Sequence, residues 1–314
     1  MITPRYVLAL DGGGSKTEAE LRRADGTLLA RGRGGPANLF RDRDGALAAV
    51  ESLWQRCCDG AALDPETARG ETALSAGLAG VSAAGAVEAF GHAFRGFGAA
   101  HLSSDAFVAL LGGFGGAPGV LLSVGTGTVA CLRDRDGGFR RLGGWGFPVG
   151  DRGGGAWLGL QLLTAWLEHR DGVHTAESSA LLWRAVEERL GTDRTAILAW
   201  LREAAPAHFA TLAPLVAEAA LRGDAFAAAL LDEAATHLAR LALALEPSAG
   251  VPVLVGGGLA PALRPRLARI LGSTLLAQGR QPTPLHGAWL VGTGRFPPEL
   301  AAPPSPHPGS KGAA

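Results

Sequence analysis

Residues 6–17 read YVLALDGGGSKT, and this stretch decides the fold. The apolar run Tyr6–Leu10 is typical of a buried strand, and it ends at Asp11. Three glycines follow, and Thr17–Arg23 then resumes as a second strand, which predicts a hairpin closed by a glycine loop. Because glycine lets backbone N–H groups approach anionic oxygens closely, this loop is a candidate anion site.

The same pattern starts again in the second half of the chain. Residues 120–128 read VLLSVGTGT, a strand followed by a glycine-threonine loop, and Val129–Arg133 is the next predicted strand. Both copies then reach an Asp-Gly turn, at residues 25–26 and at residues 136–137. The repetition indicates two related α/β halves, each with a loop of the same chemistry.

A third glycine run, Gly256–Gly258, follows the apolar strand predicted over Val251–Val255 and precedes a helix. Each of the three loops also fits an ordinary turn when it is considered alone. The first is not a Walker loop, because the G-x-x-x-x-G-K-[ST] spacing is missing. Their recurrence after buried strands is what favours phosphate and nucleotide binding.

The remaining pattern is coarser. Asp44 is the predicted N-cap of a first helix, and Ser82 that of a later one. The run Gly112–Gly119 is rich in glycine and proline, which predicts a hinge between domains. Residues 156–245 are rich in Ala and Leu and are predicted to be almost entirely helical.

Bulk composition bounds the classes of function. A chain of 314 residues predicts two domains, and 47% apolar with 18% charged residues indicates a globular protein. The zero formal net charge gives no electrostatic support for a nucleic-acid partner. Three cysteines without metal or disulfide spacing, no signal segment and no apolar run of about 20 residues predict a cytoplasmic protein without a membrane partner.

Taken in order, residues 8–21, 123–130 and 253–260 resemble the phosphate-1, phosphate-2 and adenosine motifs of the actin-like ATPase and sugar-kinase superfamily. Residues 143–154, GGWGFPVGDRGG, resemble the signature of one branch. That branch contains the eukaryotic-type N-acetylglucosamine kinases, the bacterial glucosamine kinases and the activator ATPases of acyl-CoA dehydratases. The resemblance extends over residues 5 to 294, and the signature is its most specific part.

The resemblance implies an α/β fold of two ribonuclease H-like (actin-like ATPase) domains with a central cleft. We expect an N-terminal domain of residues 1–117 plus 288–300 and a C-terminal domain of residues 118–287. Residues 301–314 are rich in Pro, Gly and Ser, which predicts a disordered tail.

The resemblance implies ATP and Mg²⁺ as cofactors. Asp11 would hold Mg²⁺, through water. The residues expected to bind the ATP phosphates share a place in the first two loops: Gly13, Gly14, Ser15, Lys16, Thr17, Gly125, Thr126, Gly127 and Thr128. Adenosine is expected against Gly256, Gly257 and Gly258.

The resemblance also implies a sugar site. Asp105 would be the general base for the sugar 6-hydroxyl and a sugar ligand; by pattern alone it is a helix N-cap. The further expected sugar contacts are Asn38, Gly144, Trp145 and Asp151. A turn asparagine, a core tryptophan and a helix-capping aspartate are the structural alternatives for three of them. Gly287 and Ala288 match a family Gly-Ala pair and are interpreted as packing residues.

Three positions depart from the branch pattern. Arg152 replaces a frequent acidic residue, Gly154 an expected serine, and Val129 an asparagine found in some amino-sugar kinases. These departures leave phosphoryl transfer in place but leave the identity of the sugar open, including recognition of an N-acetyl group.

The function that follows is ATP-dependent phosphorylation of glucosamine or N-acetylglucosamine at the 6-hydroxyl, giving hexosamine 6-phosphate and ADP. The expected partner is therefore a small-molecule sugar, and a homodimer is expected because this branch often forms dimers. Two alternatives stay open: an activator-type ATPase, for which a suitably spaced set of cysteines is missing, and a non-catalytic ATP- and sugar-binding sensor. A glucokinase-repressor-type regulator is disfavoured, because no helix-turn-helix precedes Asp11.

Overall fold

The computed structural model describes residues 4–14, 16–173, 179–245, 247, 250–275 and 283–299. By their contacts these residues form two compact units, those within Met1–Gly119, Arg135–Gly137 and Arg280–Ala314, and those within Val120–Asp134 and Gly138–Gly279. Each unit has its own apolar core. Ser15, expected to bind phosphate, and the tail 301–314, expected to be disordered, lie outside the described residues.

The first unit begins with strands and helices in alternation. Its elements are β1 (Tyr6–Gly12), β2 (Thr17–Arg23), β3 (Leu28–Gly34), α1 (Arg43–Ala61), α2 (Pro65–Arg69), β4 (Thr72–Leu78), α3 (Ala86–Ala93), β5 (Ala99–Ser104) and α4 (Asp105–Phe114).

The second unit adds four strands and a larger helical layer. Its elements are β6 (Gly119–Val124), β7 (Thr128–Arg133), β8 (Phe139–Gly143), α5 (Gly155–Arg170), α6 (Ala180–Leu190), α7 (Arg194–Glu203), α8 (Pro206–Ala210), α9 (Ala213–Leu221), α10 (Ala225–Ala244), β9 (Val253–Gly256) and α11 (Ala260–Leu271). The last helix, α12 (Pro284–Gly292), belongs to the first unit.

The first unit is a five-stranded sheet in the order β3-β2-β1-β4-β5. β1 and β2 form the predicted hairpin, while β1, β4 and β5 run parallel to one another. Every residue of β4 is buried, as expected for a parallel strand covered on both faces. Because the three strands are parallel, their carboxyl ends lie at one edge of the sheet.

The second unit repeats this arrangement. Its sheet has the order β8-β7-β6-β9, with β9 parallel to β6. In both units a strand, a glycine loop, a second strand and an Asp-Gly turn lead to a third strand, and the first strand takes a parallel partner from later in the chain. The repeat seen in the sequence is therefore also a repeat of topology.

Several local predictions are wrong in detail. The N-cap of α1 is Asp42, not Asp44, because the Asp42 carboxylate accepts from the backbone N–H of Gly45. α3 starts after Gly85 and not at Ser82, since residues 80–85 form a turn with left-handed glycines. The predicted hinge at Gly112–Gly119 begins inside α4.

α12 packs against α4 and β1 through very small residues. A Cβ built on Gly287 would lie 1.8 Å from the carbonyl oxygen of Val108, and one built on Gly112 would lie 2.0 Å from that of Thr283. Ala288 is fully buried. Gly287 and Ala288 are thus packing residues, as interpreted from the sequence. The domain boundary expected at residues 287/288 falls within α12, and the contacts place the whole helix in the first unit.

Candidate active site

Two carboxyl groups meet at the carboxyl edge of the first sheet. Asp11 is the last residue but one of β1, and Asp105 directly follows β5. The charge of Asp105 is one of the causes that raise the pKa of Asp11, so the two groups interact through space. The sheet topology therefore brings together two residues that are 94 positions apart.

Asp105 is not the N-cap of α4. That place is taken by Ser104, whose hydroxyl oxygen accepts from the backbone N–H of Phe107 at 3.2 Å. Asp105 is the first residue of the helix, and its Oδ1 accepts from the N–H of Ala106 at 2.8 Å. Because Ser104 caps the helix, capping does not explain an aspartate at position 105. The signal in the sequence was the Ser-Ser-Asp order, in which the serine preceding the aspartate is an equally good cap.

Asp11 is held in an environment that disfavours its charge. Burial is the largest cause, and the neighbouring carboxylates of Asp105 and Glu18 act in the same direction. Lys16 opposes them, and the net result raises the pKa of Asp11 from 3.8 to about 7. Glu18 lies directly across the β1–β2 ladder from Asp11 and was not anticipated from the sequence. A positive ion at this edge would relieve the repulsion among these groups.

The first glycine loop has an open surface. Gly13 donates its N–H to the carbonyl of Lys16 at 3.0 Å and so closes the hairpin. A Cβ built on Gly13 or Gly14 would meet no heavy atom within 4 Å, and neither residue has a left-handed φ. Neither packing nor conformation within the described structure therefore requires glycine there. The close approach of a ligand to this backbone would require it.

Lys16 and Thr17, at the end of this loop, differ in how exposed their side chains are. Lys16 is exposed and forms a salt bridge of 2.6 Å with Glu18. Thr17 is fully buried, and its hydroxyl donates to the carbonyl of Gly35 at 2.7 Å. The side chain thus fastens the hairpin to the loop after β3, and a contact of Thr17 with phosphate stays a prediction.

The second glycine loop, which begins at Gly125, is held by hydrogen bonds from the first turn of α5. The N–H groups of Gly155 and Ala156, in the first turn of α5, donate to the carbonyls of Gly125 and Thr126 at 2.8 and 2.9 Å. Gly125 and Thr126 are exposed, and a Cβ on Gly125 would meet nothing within 4 Å. The loop is thus rigid and its outer face is open.

Thr128, at the end of the second loop, does not share this exposure. It is 4% exposed, and its hydroxyl donates to the carbonyl of Arg152 at 3.4 Å. As with Thr17, the threonine that opens the second strand of the hairpin is a structural residue. Binding of phosphate by Thr128 stays a prediction.

The third loop lies beside the second in the same unit. Gly257 has a φ of +99°, and a Cβ on it would lie 2.3 Å from the carbonyl oxygen of Val124. Gly256 is the last, buried residue of β9. Gly258 is exposed, with nothing within 4 Å of a built Cβ. The parallel pairing of β6 with β9 thus brings together the two loops expected to hold phosphate and adenosine.

Asn38 also lies at the carboxyl edge of the first sheet, where it pairs with Ala79 just beyond β4. Its side-chain oxygen accepts from the N–H groups of Phe40 and Arg41 at 3.0 and 3.1 Å. These contacts form the turn that was the structural alternative for Asn38. The side-chain amide nitrogen donates no hydrogen bond to any residue that the structure describes, so it is available to a ligand.

The segment 143–154 is an irregular loop with several left-handed residues. Gly143, Gly144, Gly146 and Gly153 have positive φ, which explains its glycine content. Trp145 is 83% exposed, so the core alternative for this residue is excluded.

Asp151 adopts a φ of +59°, and α5 is preceded by Gly154 without a side-chain cap, so Asp151 is not its cap. Its carboxylate accepts from the backbone N–H groups of Thr128 and Gly146, yet burial raises its pKa above the ordinary value. Within the described residues its Oδ1 is buried and has no hydrogen-bond partner. Burying such an oxygen costs folding free energy unless a hydrogen-bond donor reaches it.

The three departures from the branch pattern have local explanations. Arg152 forms an ion pair of 3.5 Å with Glu233 on α10. A Cβ on Gly154 would lie 2.9 Å from the carbonyl oxygen of Thr126, so a serine would force the second loop to shift. Val129 pairs with Gly143 across β7 and β8, and a Cβ built on Gly144 would lie 3.6 Å from the Val129 side chain. All three residues shape the segment 143–154.

The fold and the paired glycine loops place the chain in one class of protein. Its members are the actin-like ATPases and sugar kinases, which share this two-domain α/β fold. In fold the chain is similar to the ROK family glucokinase from Streptomyces griseus, solved in complex with glucose and AMPPNP, at a TM-score of 0.51 and 18% identity over 91% of this chain and 99% of that one. More narrowly, the chain belongs to the BadF/BadG/BcrA/BcrD ATPase family, whose model matches residues 8–272.

Two relatives lie closer to the chain in sequence or in structure. A candidate N-acetylglucosamine kinase from Chromobacterium violaceum superposes with a TM-score of 0.84 at 36% identity, over 92% of this chain and 99% of that one. The glucosamine kinase GspK of Vibrio cholerae is 28% identical over 257 residues, 81% of this chain and 85% of its own length.

Proposed function

We propose that this protein is an ATP-dependent kinase that phosphorylates an amino sugar, glucosamine or N-acetylglucosamine, at the 6-hydroxyl. Relatives with both specificities, similar over most of the chain, support this class of substrate. The observation that carries the proposal is the placement of Asp105 and Asp11 at the same carboxyl edge of the first sheet, close enough to interact electrostatically, with the capping of α4 left to Ser104.

In the proposed reaction Asp105 is the general base. As the sugar O6 forms its bond to the γ-phosphorus, the bond from that phosphorus to the β-γ bridging oxygen breaks and ADP leaves. The proton of the 6-hydroxyl passes to the Asp105 carboxylate, which must therefore be ionised beforehand. The half-buried position of Asp105 limits access of water, the competing nucleophile.

The glycine loops would bind the phosphates of ATP. A Cβ built on Gly13 or Gly14 in one unit, or on Gly125 in the other, would meet no atom within 4 Å. Packing in the described structure therefore does not require glycine at these positions. Lys16, Thr126 and Gly127 would add donors or backbone contacts, while Thr17 and Thr128 would support the loops from beneath. Adenosine would lie against the exposed face of Gly256–Gly258.

Magnesium fits the carboxylates at the sheet edge. Asp11 and its acidic neighbours offer hard oxygen donors. Burial is the main cause of the raised pKa of Asp11, and the negative charges of Asp105 and Glu18, which a cation would offset, add to it. No group of three or more candidate metal ligands occurs among the residues described. Asp11 would therefore hold the ion through water, with the phosphates of ATP supplying other ligands. Bound there, the ion would neutralise charge on the β- and γ-phosphate oxygens.

The sugar would be held by donors and acceptors already oriented by the fold. The free amide nitrogen of Asn38 can donate to a hydroxyl, and Gly144 and exposed Trp145 offer backbone and a ring face. Asp151 Oδ1 needs a donor, and a sugar hydroxyl could supply it if the segment 143–154 shifts to expose that oxygen. Val129, Arg152 and Gly154 shape the same segment, so the choice between the amine and the acetamide would be made there.

The activator-type ATPase fits less well. A cluster held between subunits requires exposed, ionisable cysteines. Cys57, Cys58 and Cys131 are all buried, and burial raises the pKa of the first two thiols to about 11 and about 12. These residues do not fit such a group. A non-catalytic sensor is less favoured because it would not need the Asp11–Asp105 pair.

Location and assembly are part of the same proposal. No helix in the described part of the chain is long and apolar enough to cross a membrane. Use of ATP as a substrate favours the cytoplasm as the working compartment. A homodimer is proposed because proteins of this branch often form dimers. Size-exclusion chromatography with light scattering would test it.

The test is ADP release with Mg²⁺–ATP against glucosamine, N-acetylglucosamine, glucose, N-acetylmannosamine and no sugar. We expect turnover that depends on an amino sugar, and a loss of about 100-fold or more in kcat for Asp105→Asn, the usual scale for removing a general base. Mass spectrometry of the product would confirm a hexosamine 6-phosphate.

Asp59→Asn, which neutralises an exposed carboxylate on α1, is the matched control and should retain wild-type turnover. ADP release that is equal with and without sugar would favour the ATPase alternative. Binding of sugar and ATP without turnover would favour the sensor.

A further inference from the structure

The chain returns to the candidate base after its last helix. Phe296, beyond the end of α12, lies against Gly116, where a built Cβ would come within 1.9 Å of the ring. Three residues later Glu299 reaches Ser103 and Ser104, at the other end of α4. The residues between them are Pro297 and Pro298, which restrict the backbone and lower the entropic cost of holding this segment in place. We call residues 296–299 the strap.

The end of the strap is fixed by a reciprocal set of hydrogen bonds. The Glu299 carboxylate accepts from the backbone N–H of Ser104 at 2.9 Å and from the Ser104 hydroxyl. The backbone N–H of Glu299 donates to the hydroxyl oxygen of Ser103 at 3.0 Å. Both serines are almost fully buried, so these bonds are shielded from water.

Ser104 links the strap to the first turn of α4. Its hydroxyl donates to Glu299 and accepts from the N–H of Phe107, so one hydroxyl joins the strap to the helix cap. A carboxylate at this end is also favoured by the helix dipole. The next residue is Asp105, whose backbone position depends on this turn.

We propose that Glu299 is a positioning residue for phosphoryl transfer: through Ser104 it fixes the start of α4 and thereby the placement of the Asp105 carboxylate. This inference rests on the proposed function, in which Asp105 is the base. In this proposal Glu299 acts through its hydrogen bonds to Ser104 and not through a contact with substrate or nucleotide. Its effect should therefore appear in the rate of the chemical step rather than in the binding of ATP.

The test compares Glu299→Ala with Glu299→Gln in the full-length chain. Alanine removes the carboxylate oxygen that accepts both hydrogen bonds from Ser104. We expect kcat to fall on the order of tenfold, the scale at which small misplacements of catalytic groups act, with KM for ATP unchanged. Glutamine keeps an oxygen that can accept from Ser104, and it should restore most of kcat. Amide exchange at residues 104–107 should be faster in the alanine variant than in the wild type.

Glu88→Ala removes an exposed glutamate from the first turn of α3 in the same unit and should leave kcat and exchange unchanged. A lower unfolding midpoint with unaltered kcat in Glu299→Ala would overturn the proposal and make the strap purely structural. A rise in kcat would also overturn the proposal, because it would make the contact of Glu299 with Ser104 an inhibitory one. If the wild type shows no sugar-dependent turnover, the proposed function fails first and the positioning role falls with it.

Discussion

At the scale of single residues, Asp11 combines a functional position with an unfavourable environment. The carboxyl group is largely buried and faces two other acidic groups, which raises its pKa to about 7. Without bound metal, this carboxyl group therefore keeps its proton to a higher pH than an ordinary aspartate does. Residues placed for function often carry such a cost in stability.

The sign of the resulting pH dependence follows from the direction of the shift. The folded state holds a proton that the unfolded chain releases above pH 3.8, so the contribution of Asp11 to stability is fully present below that pH and is lost as the pH rises towards 7. We expect Asp11→Asn to stabilise the metal-free protein at pH 8. The full shift corresponds to an upper limit of about 4 kcal/mol, and solvent relaxation should reduce it to about 1–3 kcal/mol.

The measurement is urea unfolding of both proteins at pH 4 and pH 8 in EDTA, with kinase assays in Mg²⁺. The stabilisation should be small at pH 4 and large at pH 8, while sugar phosphorylation is lost at both. Asp59→Asn should show no such pH-dependent difference. Equal stability of Asp11→Asn and wild type at pH 8 would mean that the surroundings of the Asp11 carboxylate do not disfavour its charge.

At the scale of elements, the contact of α12 with α4 depends on the absence of side chains. Gly287→Ala would place a methyl group against the Val108 carbonyl, which cannot move without displacing α4. We expect a loss of about 2–4 kcal/mol in the free energy of unfolding, the range for overpacking a rigid site. Thermal and urea unfolding would measure it.

Gly91→Ala in α3 is the matched control, because it is the same substitution inside a helix of the same unit. Its Cβ would meet nothing within 4 Å, so helix propensity should raise stability by up to about 1 kcal/mol. Opposite signs for the two substitutions would support the packing interpretation. A loss at Gly91 similar to that at Gly287 would contradict it.

At the scale of the whole molecule, ligand binding should be visible as stabilisation of the folded chain. A non-hydrolysable ATP analogue with Mg²⁺ at 100 times its Kd should add about 2.7 kcal/mol. At about 2.1 cal/mol/K of unfolding entropy per residue, this corresponds to a rise in Tm of roughly 4 °C for a chain of 314 residues. EDTA should reduce the rise if the ion contributes to binding.

Gly14→Val separates ligand binding from folding. Because nothing lies near a Cβ at this position and φ is not left-handed, the variant should keep the Tm of the unliganded protein. The branched side chain would occupy the space proposed for phosphate, so the rise with nucleotide should disappear. A full rise in Gly14→Val would remove the first loop from the proposed site.

The sequence by itself determined the fold class, the repeated strand–loop–strand units, most of the strands and the family. These follow from local signals: buried strands are continuous apolar runs, and the loops between them need glycine. The resemblance of its motifs to one branch of that family also implied Asp105 as the general base, which stays a prediction. The local pattern could not distinguish between neighbouring candidates for a helix N-cap. The N-caps predicted at Asp44 and Ser82 were wrong for this reason.

Only the tertiary structure decided what each polar side chain does. Thr17 and Thr128 look like ligands in sequence but are buried and bonded to carbonyls from distant segments. The interaction between Asp11 and Asp105, and the contact of Glu299 with Ser104, join residues far apart in the chain. Burial, pKa and hydrogen-bond partners depend on what the folded chain brings near a group, and the local sequence does not contain that information.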